Sequence, residues 1–481
     1  MAPATPPVAV AVEKARKPLI ASVLPGTRHV VGYEKVQVYS APEYESEPAC
    51  EPTDVKVVEV IDKEEVLLLV RPWTSPLVGV VISGARLPVK GVVHSKSAHG
   101  CATRLWYAVD PYGWVCSKSV RPTAQPASAD SVLRVPDGER LPFRYVMESV
   151  KEGVKVPMWG SLEDAREGRE AERQLEHGDT VAVARTVRID DLQHYVSVEG
   201  KVLPVKGTYA MGGGSEWHGE TLDDQTPLPF GWVTPDQAKI YDEPSQKRRP
   251  VATLARRTRV AILEESGEGN RRMLRIGDGQ WLRAGDVNEV RKVDRPEGIT
   301  EAKQWIDVDL GEQVLVAYEA DKPIYATLIS SGRAIATPRG NYPIWAKATS
   351  ISMKSQPYED KSYFVNEVPW VLFFQAHNAI HGAYWHDRFG VTKSHGCVNV
   401  APLDARHLFE WAMPPLPAGW SGYHAPDLLA SPTVHVRNSH LKKELVQERA
   451  IGPPDKELEA QKLEAAEQRR SEATAPEGMK P

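Results

Sequence analysis

Between Ala376 and Val400 the chain reads AHNAIHGAYWHDRFGVTKSHGCVNV, which brings His377, His381, His386, His395 and Cys397 into one short stretch. A thiol is a few per cent thiolate at neutral pH and becomes a strong nucleophile once a base takes its proton. A histidine on a neighbouring strand suits that task, because imidazole titrates near neutrality. Gly396 lets the backbone approach a substrate closely. Amide groups around Cys397 are candidates to stabilise a tetrahedral oxyanion. These residue types point to acyl transfer through a cysteine. A zinc site is disfavoured: HGC sets Cys397 and His395 two apart, with no second pair at a recognised spacing, so neither metal nor cofactor is expected. His377 and His386 read as structural or surface histidines.

The elements that must carry this stretch are strands. WIDVDL (Trp305–Leu310) alternates Ile306, Val308 and Leu310 on one face, and QVLVAY (Gln313–Tyr318) and IYATLIS (Ile324–Ser330) follow across tight turns, so a β domain begins near Glu301. A helix is expected after Cys397, with Leu403, His407 or Leu408, and Trp411 at helical spacing and Asp404 in its first turn.

SHGCVN (Ser394–Asn399), preceded by His381–Gly382, resembles the signature of the L,D-transpeptidase catalytic domain, the YkuD family. WIDVDLGEQVLVAYE (Trp305–Glu319) resembles the opening strands of that domain, and SSGRAIATPRGNYPI (Ser330–Ile344) its Ser-Thr-Gly and Thr-Pro-x-Gly stretch. The resemblance covers about residues 301–438. It implies a β-rich fold and a peptidoglycan tetrapeptide stem as donor. Cys397 would attack the carbonyl of the third stem residue and expel the terminal D-alanine, leaving a thioester. A second stem's side-chain amine would then form a 3→3 cross-link; water instead gives an L,D-carboxypeptidase. His381 matches the base and Gly382 the carbonyl that orients its ring. Gly396 and His395 match the oxyanion and orienting shoulder. Ser394, Asn399, Tyr384 and Arg388 are expected at the substrate, with Trp385 beside them; many members carry arginine where Asn399 stands. A hydrolase that attaches or releases a wall protein, and an inactive wall-binding scaffold, are the competing readings. Carbapenems typically acylate this family's cysteine.

Upstream, LPVKG (Leu87–Gly91, Leu203–Gly207) and GWV (Gly113–Val115, Gly231–Val233) recur in the same order at nearly the same offset, which indicates a duplicated domain. The copies open alike, EKVQVYSAP (Glu34–Pro42) and VKVPMWGSL (Val154–Leu162), and AKIYDEPS (Ala238–Ser245) opens a shorter third unit. Short β-branched runs with Gly-rich turns suggest small barrels resembling bacterial SH3-like modules. The expected organisation is a linker or export remnant (1–27), modules at 28–125, 140–235 and 236–296, the catalytic domain (301–438) and a charged, helical or disordered tail (439–481). Trp114, Trp232 and Trp281 read as core residues first and as groove aromatics second. Cys101 and Cys116 flank a hairpin; a disulfide between them and two buried thiols both fit.

The whole is expected to be mainly β, as 35 glycines and 39 prolines in 481 residues require many turns. A net charge of −5 gives no basic field for nucleic acid. No apolar run approaches 18 residues, so no membrane-spanning helix is expected. A monomer is expected, with stem peptides and glycan as partners. The amino terminus breaks its apolar run at Glu13 and Lys14 and does not read as a signal peptide. The substrate nonetheless places the protein in the periplasm or cell envelope, with the export signal removed or encoded elsewhere. Modules that only tether the enzyme to the wall would be removable without loss of acylation.

Overall fold

The computed structural model describes residues 19–21, 30–32, 50–62, 65–69, 77–98, 100–130, 133–149, 156–299, 303–333, 336–355, 363–441 and 459–467. Glu34–Pro42, the first repeat opening, lies outside them, as does most of the linker and of the tail. The described part is mainly β, with strands throughout and few helices. No helix among the described residues is long and apolar enough to cross a membrane.

The C-terminal domain is a sandwich. Its strands are β1 (Gln304–Asp309), β2 (Val314–Glu319), β3 (Lys322–Leu328), β4 (Gly340–Pro343), β5 (Ala346–Lys354), β6 (Phe364–Gln375), β7 (Asn378–Gly382) and β8 (Val398–Val400). Helix α1 (Pro402–Trp411), β9 (Trp420–His424) and β10 (Thr433–Arg437) complete it. One sheet runs β3-β2-β1-β10-β4. The other runs β9-β5-β6-β7-β8. Alternation along the strands sends Ile306, Val308, Leu315, Val434 and Val436 of the first sheet inward to meet Leu372, Phe374, Ile380, Val398 and Val400 of the second. Ile306 and Val308 thus face the core as expected, and Leu310 packs at its margin.

Helix α1 closes one end of this core. Its buried stripe is Ala405, Leu408, Phe409 and Ala412, which takes Leu408 of the expected His407-or-Leu408 position, with Trp411 packed at the margin. Pro402 occupies its first turn, where a missing N–H costs nothing. Asp404 is fully buried and accepts from Gly219 N (2.7 Å), Tyr325 Oη (2.7 Å) and Thr327 Oγ1 (2.5 Å). It is therefore a tie to the chain upstream; burial pushes its carboxyl up to about 6 despite those donors. Lys347 of β5 ends the helix: Nζ donates to Phe409 O (2.9 Å), Ala412 O (2.5 Å) and Pro414 O (3.1 Å). Three ammonium protons meet three carbonyls that would otherwise be orphaned. Lys347→Met should therefore lower stability by about 3 kcal/mol, by the cost of leaving buried acceptors unmatched, read as a lower midpoint in denaturant unfolding.

Both outer faces of the sandwich are covered by upstream units. In the first unit, Val57–Val60 pairs with Arg86–His94 and with Val120–Pro122, and Leu105–Val109 pairs with Trp114–Cys116 across the expected DPYG turn. Cys101 and Cys116 form a disulfide. Strand Leu77–Val81 of this unit pairs with β9, so its Leu77 and Val80 join a core with Ala346, Val371 and Phe373 on the outer face of the second sheet. Gly79 makes this approach possible: a Cβ there would lie 2.2 Å from the Trp420 ring.

The second unit holds strands between Arg144 and Ala210, with Arg144–Glu148 between Thr180–Ile189 and Thr208–Ala210. The second GWV segment does not pair within it. Strand Phe230–Val233 pairs with Arg259–Ala261 and Val287–Val290, so it serves the third unit, and strand pairing starts that unit before residue 236. The reason is local: the chain from Met211 to Pro229 leaves the second unit and adds Glu220–Thr221 to the edge of β3. Phe230, Trp232 and Val290 then cover Trp305, Val316, Tyr318 and Leu328 on the outer face of the first sheet. Trp114, Trp232 and Trp281 are all buried, at 1%, 1% and 8% exposure, which is the core reading of the Gly-Trp pairs.

Candidate active site

Strands β7 and β8 run parallel, with Ile380 opposite Val398 and His381 opposite Asn399. Ile380 and Val398 point into the sandwich core. By the two-residue period of a strand, Ala379, His381, Cys397 and Asn399 share the opposite face. Cys397 and Ala379 accordingly belong to the outer apolar cluster. The register sets Cys397 level with Ala379 and His381 level with Asn399, so the two expected catalytic residues lie on one face, two residues apart in register.

Cys397 carries a thiol, partly exposed, and its Sγ lies 3.7 Å from His377 O. His381 is 2% exposed, with Nδ1 3.3 Å from Gly382 O. If Nδ1 donates to that carbonyl, Nε2 is left as the acceptor of a proton. Burial pulls the ring's pKa down to about 4, with Gly382 O opposing and His386 adding to the fall, so the imidazole is neutral at physiological pH. The Trp385 ring lies 5.7 Å from His381.

The turn that presents Cys397 is held by hydrogen bonds. Ser394 Oγ donates to Cys397 O (2.5 Å) and accepts from Gly396 N (3.2 Å). Gly396 N–H, an expected oxyanion donor, is thereby directed at Ser394. Thr337 Oγ1 donates to Gly396 O (2.8 Å) and accepts from Gly332 N (2.8 Å). Thr337 is the threonine of the TPRG stretch; the motif was visible in the sequence, but this clasp was not. Asn378 was not singled out either. A Cβ on residue 396 would stand 2.3 Å from Asn378 Oδ1, so Gly396→Ala must displace the Asn378 side chain or the turn. It should cost about 1–3 kcal/mol as an overpacked site and slow acylation of Cys397, measured by intact mass against time.

The other expected residues make the following contacts. Tyr384 is buried; its hydroxyl donates to Asn366 O (2.6 Å) and meets Thr180 Oγ1 (2.7 Å), and its ring stacks on Tyr145 at 3.6 Å. It joins the catalytic domain to the second unit. The Arg388 guanidinium faces Asp236 of the third unit (3.9 Å). His395 is exposed and stacks on Tyr363 at 4.8 Å. Asn399 is buried, with Nδ2 3.1 Å from His386 Nε2. His386 is thus the partner of Asn399, and burial together with Lys393 lowers its pKa to about 4. Among the described residues no cluster of three His, Cys, Asp or Glu could hold a metal ion.

Residues 303–421 match the YkuD family, the L,D-transpeptidase catalytic domain. The chain therefore carries a YkuD L,D-transpeptidase catalytic domain in its C-terminal part. Among solved structures it is similar to an L,D-transpeptidase mutant from Enterococcus faecium, at 23% identity over 28% of this chain and 50% of that one, with a TM-score of 0.23. It is also similar to an L,D-transpeptidase from Stackebrandtia nassauensis (24% identity, 29% of this chain and 57% of that one, TM-score 0.21). A third is an L,D-transpeptidase from Mycobacterium smegmatis (15% identity, 47% and 93%, TM-score 0.24). The chain spans about half the length of the first of these. No curated protein matches it.

Proposed function

We propose that this protein is a peptidoglycan L,D-transpeptidase that works through a Cys397 thioester. The observation that supports the reading is the parallel β7–β8 register, which puts Cys397 and the buried His381 on one face within the segment that matches the family. Sγ attacks the carbonyl of the third stem residue as His381 Nε2 takes the thiol proton. The Cys397 amide is the proposed oxyanion donor. Collapse breaks the peptide bond to D-alanine, whose amine receives the proton from His381. The side-chain amine of a second stem then attacks the thioester, releasing Sγ and forming the 3→3 bond; its surplus proton returns through His381 to the thiol.

The disulfide Cys101–Cys116 supports residence in an oxidising compartment such as the periplasm or cell envelope. The upstream units are proposed as SH3-like modules. Their buried tryptophans and their contacts with both sheets favour a role as walls of the catalytic domain.

The test is digestion of purified tetrapeptide-stem muropeptides followed by mass analysis. Dimers joined 3→3 are expected. Tripeptides alone would make the enzyme a carboxypeptidase, and an unchanged substrate with no acyl-enzyme would overturn the reading.

A further inference from the structure

The loop between His381 and Cys397 is held from outside its own domain. Asp387 sits in its middle. Its carbonyl accepts from Arg256 Nη2 (2.6 Å) and Arg257 Nη2 (2.7 Å), and its carboxylate accepts from Arg257 Nη2 (2.6 Å) and from Ser215 Oγ. Both arginines stand in a turn of the third unit; their side chains are 18% and 21% exposed. Arg257 takes a left-handed backbone, φ +67°, a conformation disfavoured for a residue with a Cβ and kept where the surroundings over-determine it. Burial pushes the Asp387 carboxyl up, but the bonds from Arg257 and Ser215 outweigh it and hold it below the usual range. The same unit grips the loop again at Gly390, whose carbonyl accepts from Asn288 Nδ2 (3.1 Å).

What Asp387 holds is chemically significant because of its neighbours. His386, one residue before, meets Asn399, the residue opposite His381. Trp385, two residues before, lies against His381 and packs on the apolar cluster that includes Cys397.

We infer that Asp387, clamped by Arg256 and Arg257, is a positioning residue that keeps the 383–393 loop closed over His381, so that the third unit completes the active site it does not itself contain. The inference rests on the transpeptidase reading for its consequence in catalysis. The clamp binds a main-chain carbonyl and a carboxylate together, so it fixes the loop's position rather than merely its charge. The titratable group that acts on His381 is His386 on this loop, and Cys397 precedes β8 on the same face by strand alternation. With the clamp released, water reaches the ring, and its pKa rises from about 4 toward the ordinary histidine value.

The experiment compares full-length wild type with Arg256→Ala/Arg257→Ala in two assays. One is carbapenem acylation of Cys397 by intact mass from pH 4 to 8. The other is iodoacetamide alkylation of Cys397 at pH 7 by peptide mapping. The double variant should acylate roughly tenfold to a hundredfold more slowly, the range set by small misplacements near a reacting centre. Its acidic limb should move upward by one to two pH units, and its alkylation should be several-fold faster. A purely structural role would leave the limb in place. If the double variant does not fold, Arg257→Ala, which removes bonds to both the carbonyl and the carboxylate and leaves Arg256 in place, reads the same limb. An unmoved limb with unchanged alkylation in a folded variant overturns the clamp. Wild type that takes no carbapenem adduct overturns the transpeptidase reading instead, and the alkylation comparison still decides the clamp.

Discussion

Cys397→Ala is expected to abolish covalent capture of a carbapenem and all processing of stem peptides, while leaving the unfolding transition in place. The thiol is the group that must bond to the acyl carbon, and no other cysteine lies in the catalytic domain; without it no thioester forms. His381→Ala should lower the acylation rate by roughly 10²–10⁴, the range for removing a positioned base. The pH profile separates the two roles. His381 must be neutral to accept the proton, and burial sets its pKa at about 4. Acylation by wild type should therefore persist at pH 5 and fall only as pH drops through about 4. A limb near the ordinary histidine value would contradict a buried base. An adduct surviving in Cys397→Ala would remove Cys397 from the mechanism.

Deleting everything before residue 301 is expected to leave no competent enzyme, contrary to the view of the modules as removable tethers. Trp305, Val316, Tyr318 and Leu328 would lose their cover of Phe230, Trp232 and Val290. Val371 and Phe373 would lose Leu77 and Val80. Burying each such side chain contributes about 1.5–3 kcal/mol, so the exposed set is worth on the order of 10 kcal/mol, as large as the net stability of a typical domain. Asp404 would lose Gly219 N and Tyr384 would lose Tyr145 and Thr180. The truncated chain should aggregate or fail to acylate, checked by size-exclusion chromatography and intact mass. A monomeric fragment acylated at the wild-type rate would show instead that the modules only target the enzyme.

Much of the site was legible because its signals are local. SHGC marks Cys397 and its turn within four residues, HG marks His381, and the alternation in Trp305–Leu310 marks a strand with one buried face. The hairpin around DPYG and the helix after Cys397 were legible for the same reason. Residues that act across long stretches of chain were not. Thr337 bonds a carbonyl that follows it by 59 residues, and Asn378 matters only because Gly396 passes against its side chain. Tyr384 and Arg388 read as substrate contacts because they lie between the proposed catalytic pair. Their partners Thr180, Tyr145 and Asp236 belong to units more than a hundred residues upstream, and no local pattern reports that.

The sequence by itself determined the candidate chemistry: a cysteine, a histidine and a glycine whose types limit what they can do, in a signature short enough to be read without a fold. Only the tertiary structure decided who holds them. Both outer faces of the sandwich carry apolar side chains, and apolar surface must be covered by something; the hydrophobic effect does not specify by what. Strand pairing at Trp420–His424 and at Lys322–Leu328, with the packing of Phe230 and Trp232, settles that the upstream units supply the cover.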